Sequence, residues 1–173
     1  MTNFIFSVPK FESLRFHIGF QTQEPDLVGS KLYNDDTFYK QLTKDLRKIR
    51  REVIIESPFI TSTRMYHLIA LFRELVTRKV KCYVITRNPV DHDLAMRQQA
   101  EEEIRKLQTL GVQVILTNEY SHRKLAIIDR KILWEGSLNI LSQTYSKEFM
   151  RRIESKTQAQ ECFDFVRFGT FIY

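Results

Sequence analysis

The chain carries two cysteines in 173 residues, Cys82 and Cys162. Neither sits in a CxxC or Cys/His spacing, which sets aside structural zinc sites and dithiol redox chemistry. Cys82 lies in an apolar run and reads as a buried, inert thiol. The opening stretch, MTNFIFSVPK, lacks a basic segment followed by a long apolar one, so no signal peptide is expected. No run approaches the roughly 18 apolar residues that cross a bilayer. Internal repeats and low-complexity tracts are also missing. These absences predict a cytoplasmic protein without a membrane anchor, unless a longer parent chain carries an address.

Hydrophobic residues make up 43% and charged residues 28%, the balance of a folded globular chain. A length of 173 residues suits one domain with a real core. There are 27 Lys plus Arg against 21 Asp plus Glu, a formal charge of +6. The field around such a chain attracts polyanions, either nucleic acid or an anionic lipid surface.

Residues 1–34 hold two short aromatic-rich stretches and then a polar connection through Pro25, Gly29 and Ser30, and read as strands or an arm. The remaining residues, 35–173, form the catalytic domain of this reading. Phe38, Leu42, Leu46 and Ile49 recur at helical spacing after the cap candidates Asn34, Asp35 and Asp36, predicting a helix through Arg51. The opposite face, with Lys40, Lys44, Arg47, Lys48, Arg50 and Arg51, is either a solvated face or a phosphate-tracking stripe. Strands are then expected over 52–60, 80–86 and 112–116, with helices over 65–78 and 94–110, the latter ended by Gly111. This alternation predicts parallel strands with right-handed crossovers, an α/β layered sheet with helices on both faces. Functional groups should collect where strand ends meet loops.

The pattern changes after residue 120. Two extended runs, 124–128 and 131–134, flank Asp129-Arg130 and read as a tight antiparallel hairpin. Gly136-Ser137-Leu138-Asn139 reads as a turn opening into a short helix. A strand is expected over 149–154 and a final helix over 157–167. On an extended backbone, His122 and Lys124 project from one face, so an imidazole and an ammonium face an anion together. Ser137 and Asn139 add neutral donors, and a helix start beside them would receive a phosphate oxygen. A nucleophile candidate, a fixed cation and neutral donors form a phosphoryl-transfer site that calls for no metal and no cofactor.

The spacing H-x-K-x4-D from His122 to Asp129, followed by G-S-x-N from Gly136 to Asn139, resembles the signature of the phospholipase D superfamily. It is similar to the bacterial branch that carries a single motif, which includes nucleases. The literal signature spans residues 122–139, and the α/β pattern from about residue 36 fits the family core. The resemblance implies that His122 attacks phosphorus and forms a phosphohistidine. It also implies that Lys124 and Asn139 hold non-bridging oxygens, with Ser137 assisting. An acid downstream orients the histidine; Glu154, at the end of an apparent strand, is the choice, and Glu148 the fallback. Asp129 at the hairpin tip and Gly136 are assigned structural roles.

Leaving-group protonation needs a second histidine. His17, His67 and His92 are the other three, and none is followed two residues later by lysine. A second copy of the chain must therefore complete the site, predicting a homodimer. The expected substrate is nucleic acid, DNA before RNA, contacted by Arg64, Arg87, Arg123, Arg130, Arg151 and Arg152. A helicase or restriction module is the kind of partner such a domain accompanies. The alternatives are a lipid phosphodiesterase or phosphatidyl transferase, and a non-catalytic nucleic-acid-binding dimer module.

Overall fold

The computed structural model describes residues 29–118 and 120–172. The expectations for the aromatic stretches before residue 29, and for His17 among them, lie outside the described residues. Strand β1 (Ser30–Asn34) leads into helix α1 (Asp35–Lys48). Strand β2 (Glu52–Glu56), helix α2 (Ser62–Thr77), strand β3 (Lys81–Arg87), helix α3 (Leu94–Leu110) and strand β4 (Gln113–Thr117) follow. Strands β5 (Leu125–Ile128), β6 (Ile132–Gly136) and β7 (Phe149–Glu154) then precede helix α4 (Lys156–Phe165).

The seven strands form one sheet in the order β1-β7-β6-β5-β2-β3-β4. β2, β3 and β4 are parallel, as the alternating pattern predicts, and the other pairings are antiparallel. Alternate residues of the strands feed two cores. Phe38, Leu42, Met65, Phe72, Leu75 and Leu107 from α1, α2 and α3 pack on Val53, Ile55, Val84, Ala126 and Trp134. Ala159 and Phe163 of α4 pack on Ile54, Ile85, Ile127 and Leu133 on the opposite face. Period-two alternation in the central strands thus divides consecutive apolar residues between two layers of helix.

Local signals explain several boundaries. Asn34 caps α1 by accepting from Thr37 N at 3.1 Å, while Thr37 Oγ1 accepts from Asn34 N at 3.2 Å, a closed capping box. Gly111 ends α3 in the left-handed region at φ 96°. The hairpin between β5 and β6 turns at Asp129 and Arg130, whose φ values of 51° and 54° match the positive-φ pair favoured by tight hairpins. The Asp129 carboxylate accepts from the backbone N–H groups of Arg50, Arg51 and Glu52 at 2.9, 2.8 and 3.0 Å, tying the hairpin to the start of β2. Its place in the signature is therefore one of construction, at the sheet edge away from the C-terminal end of β2.

Three expectations change. Ser30–Asn34, read as the close of a polar connection in a segment of strands or an arm, forms an edge strand on β7, with Leu32 opposite Arg151. α1 stops at Lys48, because Arg50 and Arg51 give their N–H groups to Asp129 instead of to a further helical turn. The short helix expected directly after Gly136 does not form. The segment makes a single turn in which Asn139 O accepts from Ser142 N at 3.1 Å and Gln143 N at 2.8 Å, so the expected helix N-terminus is not available to a phosphate.

Candidate active site

The sheet register places the functional segments at one edge. Glu56, the last residue of β2, pairs with Leu125, the first of β5; Leu125 pairs with Glu135, and Gly136 with Met150. The C-terminal ends of β2, β3 and β6 therefore converge with the entries to β5 and β7. His122 and Lys124 stand just before β5, and Ser137 and Asn139 just after β6.

Lys124 shares the parity of Ala126 and so faces the α1–α3 side. Its Nζ lies 2.6 Å from His122 Nδ1 and also contacts the His122 carbonyl. Burial pushes the Lys124 ammonium below the ordinary lysine value, and the nearby Glu148 carboxylate opposes that shift. His122 is exposed, while Lys124 is only 9% exposed: an accessible imidazole is backed by a largely desolvated cation.

The backbone around His122 is fastened by a buried acid. Glu56 is 2% exposed; it accepts from Ser121 Oγ at 2.6 Å and from Arg123 Nε at 2.9 Å. Both neighbours of His122 are thus tied to one carboxylate at the end of β2. Sequence reasoning gives Glu56, at the end of the first buried strand, two equal readings, a pocket-lining residue or a plain strand terminus. The usable signal was a glutamate closing a β-branched run, since a buried charge requires partners.

Gly136 lies within β6 at an ordinary φ, where its role is close approach, not the backbone turn expected of it. A Cβ there would come within 2.3 Å of Phe149 O and 2.9 Å of Met150 Cα. The missing side chain lets Ser137 N donate to Phe149 O at 3.0 Å and Phe149 N to Ser137 Oγ at 3.3 Å. Ser137 keeps its own hydroxyl proton for donation. Asn139 Oδ1 is buried without a hydrogen-bond partner among the described residues, an acceptor that ordinarily demands one.

Glu154 and Glu148 stand six positions apart and share parity, about 20 Å apart at ~3.3 Å per strand residue. Glu154 pairs with Ile132 at the hairpin end of β6 and is engaged by Lys131 at 2.9 Å and Arg152 at 3.2 Å. Those two hydrogen bonds, Lys131 first, lower its pKa. The choice of Glu154 as the orienting acid is therefore corrected: parity is right and the end of the strand is wrong. Glu148 stands at the Lys124 end, next to Phe149, and its Oε1 accepts from Ser146 Oγ at 3.2 Å.

The arginine candidates divide. Arg64 stacks on Tyr39, 3.8 Å from its centroid, and donates through Nε and Nη2 to Gln143 O at 2.9 and 2.6 Å. Gln143 Nε2 in turn donates to Ser146 O at 2.8 Å, so Arg64 braces the loop that carries Glu148. Arg152 is bound to Asp45 at 2.8 Å, and Asp45 also accepts from Trp134 Nε1 at 3.1 Å; this network is buried beneath α1. Arg130 pairs with Glu52 and lies over Phe163, at the hairpin edge. These three are corrected from substrate contacts to structural ones. Arg87 remains beside the site; Arg123, held by Glu56, and Arg151, which donates to Ser30 Oγ at 3.2 Å, line a groove with Phe149 and Phe165 on the α4 side of the sheet. Among the described residues no group of three or more His, Cys, Asp or Glu is placed to hold a metal ion.

A mixed sheet with this strand order, holding an imidazole and an ammonium at one edge beside a glycine-dependent strand junction, defines a phospholipase-D-like domain. Residues 42–165 match the family described as cardiolipin synthase, PLD-like domain, and the chain belongs to that family within the phospholipase D superfamily. Among solved structures it is similar to a phospholipase D family member, Nuc, from Salmonella typhimurium. That match has a TM-score of 0.63 and 12% identity, covering 79% of this chain and 90% of that one. NucT from Helicobacter pylori matches with a TM-score of 0.61 and 16% identity, covering 80% and 93%. Phosphatidylserine synthase from Haemophilus influenzae matches with a TM-score of 0.60 and 14% identity, covering 75% of this chain and 35% of that one. Comparison with curated proteins gives no match.

Proposed function

We propose that this domain is a metal-independent phosphodiesterase acting on nucleic acid, DNA before RNA, through a covalent intermediate on His122. The observation that carries the reading is the 2.6 Å approach of Lys124 Nζ to His122 Nδ1. An ammonium donating to Nδ1 leaves the ring proton on Nε2, so Nε2 is not yet a nucleophile. A phosphodiester entering the site draws Lys124 onto a non-bridging oxygen. Exchange with solvent then moves the ring proton from Nε2 to Nδ1, where the N–H is held by a hydrogen bond to an acceptor at the same end of the sheet, for which Glu148 is suited. Nε2, freed of its proton, forms a bond to phosphorus as the bond to the leaving oxygen breaks. Lys124, Ser137 and the amide of Asn139 stabilise the developing charge.

The leaving oxygen needs a proton, and the described part of one chain offers no second motif for it. We assign that proton to the imidazolium of His122 in a second copy of the chain. That imidazole then takes a proton from water as water attacks phosphorus and the P–N bond breaks. This places the scissile phosphate on a two-fold axis of a homodimer. Arg123 and Arg151, together with the net charge of +6, supply the attraction for a polyanion. A helicase or restriction module is the partner proposed for the domain.

The test is cleavage of single- and double-stranded DNA in excess EDTA by the parent and by His122→Ala. EDTA-resistant cleavage that disappears in the variant supports the reading. Turnover of phosphatidyl substrates with no nucleic-acid cleavage would replace it by the lipid alternative, and DNA binding with no turnover by a binding module.

A further inference from the structure

Three side chains, one from the end of a strand and two from loops, meet beside His122 with no part in the chemistry above. Phe59 follows β2, Arg87 closes β3, and Tyr120 lies on the return from β4. The Phe59 ring stands 6.2 Å from the His122 ring at 81°, and the Arg87 guanidinium lies 5.6 Å from the Phe59 centroid. The same guanidinium sits over the Tyr120 ring, 4.8 Å from its centroid. His92 backs Phe59 at 5.3 Å, and Asn88 Nδ2 donates to Asn118 Oδ1 at 3.1 Å, joining the β3 and β4 exits beneath the cluster.

Two features separate this cluster from ordinary packing. Tyr120 is 84% exposed, so with Arg87 over one face the other face is open. Arg87 Nε is buried without a hydrogen-bond partner among the described residues, and the described ion pairs do not include Arg87. Arg123, by contrast, is paired with Glu56. A guanidinium resting against two rings and lacking a carboxylate is fitted to receive an anion and to carry a π-face at once.

We propose that Phe59, Arg87 and Tyr120 form a subsite for the nucleotide next to the scissile phosphate, and that they take it from a single strand. The base stacks on the open face of Tyr120, and Arg87 receives the adjoining phosphate. Phe59 spaces this position from His122. Stacking tolerates any base but requires that its face be free, and in a duplex both faces are covered by neighbouring pairs. The subsite therefore selects single-stranded or frayed nucleic acid without reading its sequence. The inference rests on the nucleic-acid reading above and adds to it the form of the polymer.

The test is fluorescence anisotropy with a labelled single-stranded ten-nucleotide DNA and an abasic strand of equal length and charge, in a His122→Ala background that keeps both intact. The base-containing strand is expected to bind at least about five-fold more tightly. Tyr120→Ala should erase that difference, and Tyr120→Trp, which keeps a ring, should retain it. Arg87→Met should weaken both strands through the lost phosphate contact. Equal binding of the two strands, or a base-dependent difference that survives Tyr120→Ala, overturns the subsite. EDTA-resistant cleavage without base dependence sinks this proposal alone, whereas base-dependent binding without any cleavage sinks the catalytic reading and leaves the subsite standing.

Discussion

The ammonium of Lys124 and Nδ1 of His122 stand 2.6 Å apart, with the lysine largely buried and the histidine exposed. Burial lowers the Lys124 pKa and Glu148 partly restores it. The ammonium is therefore lost at a lower pH than for an ordinary lysine. If it holds the phosphate, kcat/KM falls as pH rises through that lowered value. Glu148→Gln removes the opposing charge and moves this alkaline limb further down. Lys124→Arg removes the limb from the lysine range, and Lys124→Ala costs about 10²–10³-fold in kcat. Stability has a related sign. Between the folded and unfolded pKa values the unfolded chain binds more protons at this group, so its contribution improves as pH rises across that window. Rate profiles and urea titrations against pH check both.

The two glutamates near β7 give a sharp comparison. Glu148→Gln is expected to lower kcat by at least about ten-fold, within the range of a general acid–base or orienting contribution. Glu154→Gln should leave kcat within about two-fold and remove a little stability, about 1 kcal/mol or less for a partly exposed pair. Since Glu154 is held below its ordinary value by Lys131 and then Arg152, its contribution is present above the ordinary glutamate value and disappears as pH falls through the lowered one. Steady-state kinetics and thermal unfolding at pH 7 and pH 3 separate the two residues. Equal kinetic losses in both variants would remove Glu148 from its place.

Gly136→Ala should destabilise the fold by about 3 kcal/mol, because the added methyl meets the backbone of Phe149 and Met150, not a side chain that can swing away. Urea unfolding measures this. A loss under about 0.5 kcal/mol would mean that β6 and β7 separate easily and that Ser137 is less firmly placed than the 3.0 Å Ser137–Phe149 bond implies.

Asp129 belongs to the signature yet serves construction. Asp129→Ala leaves the N–H groups of Arg50, Arg51 and Glu52 without their carboxylate, at a cost of about 1–3 kcal/mol. The kcat of the folded fraction should be unchanged. Comparison of unfolding midpoint and specific activity decides; a large kcat loss with an unchanged midpoint would assign Asp129 to the chemistry.

Much of this was legible in the residues because their patterns are local. Helical spacing at Phe38, Leu42 and Leu46, the cap at Asn34 and Gly111 after α3 fixed elements to within a few positions. The β-branched runs of β2 and β3 announced buried parallel strands. His122 and Lys124 share a face because they are two residues apart on an extended chain. What failed depended on register and on partners distant in sequence. Glu148 and Glu154 have the same parity, and only the pairing of Glu154 with Ile132 reveals which end each occupies. Arg64 and Arg152 looked like free cations until Gln143 and Asp45, 79 and 107 positions away, took them. The helix expected after Gly136 was read from a glycine whose constraint is the nearness of β7. The Glu56 clamp joins residues 65 and 67 positions apart, so the glutamate closing the β-branched run signals a need for partners and the local pattern does not name them.

The most direct measurement is a rapid acid-free quench of the parent enzyme cutting a strand labelled with ³²P at the scissile phosphate, followed by peptide mapping. The account predicts radiolabel on His122 that is labile in acid and stable in alkali, formed before product and missing in His122→Ala. Cleavage without protein-bound label, or label on any residue other than His122, would contradict it.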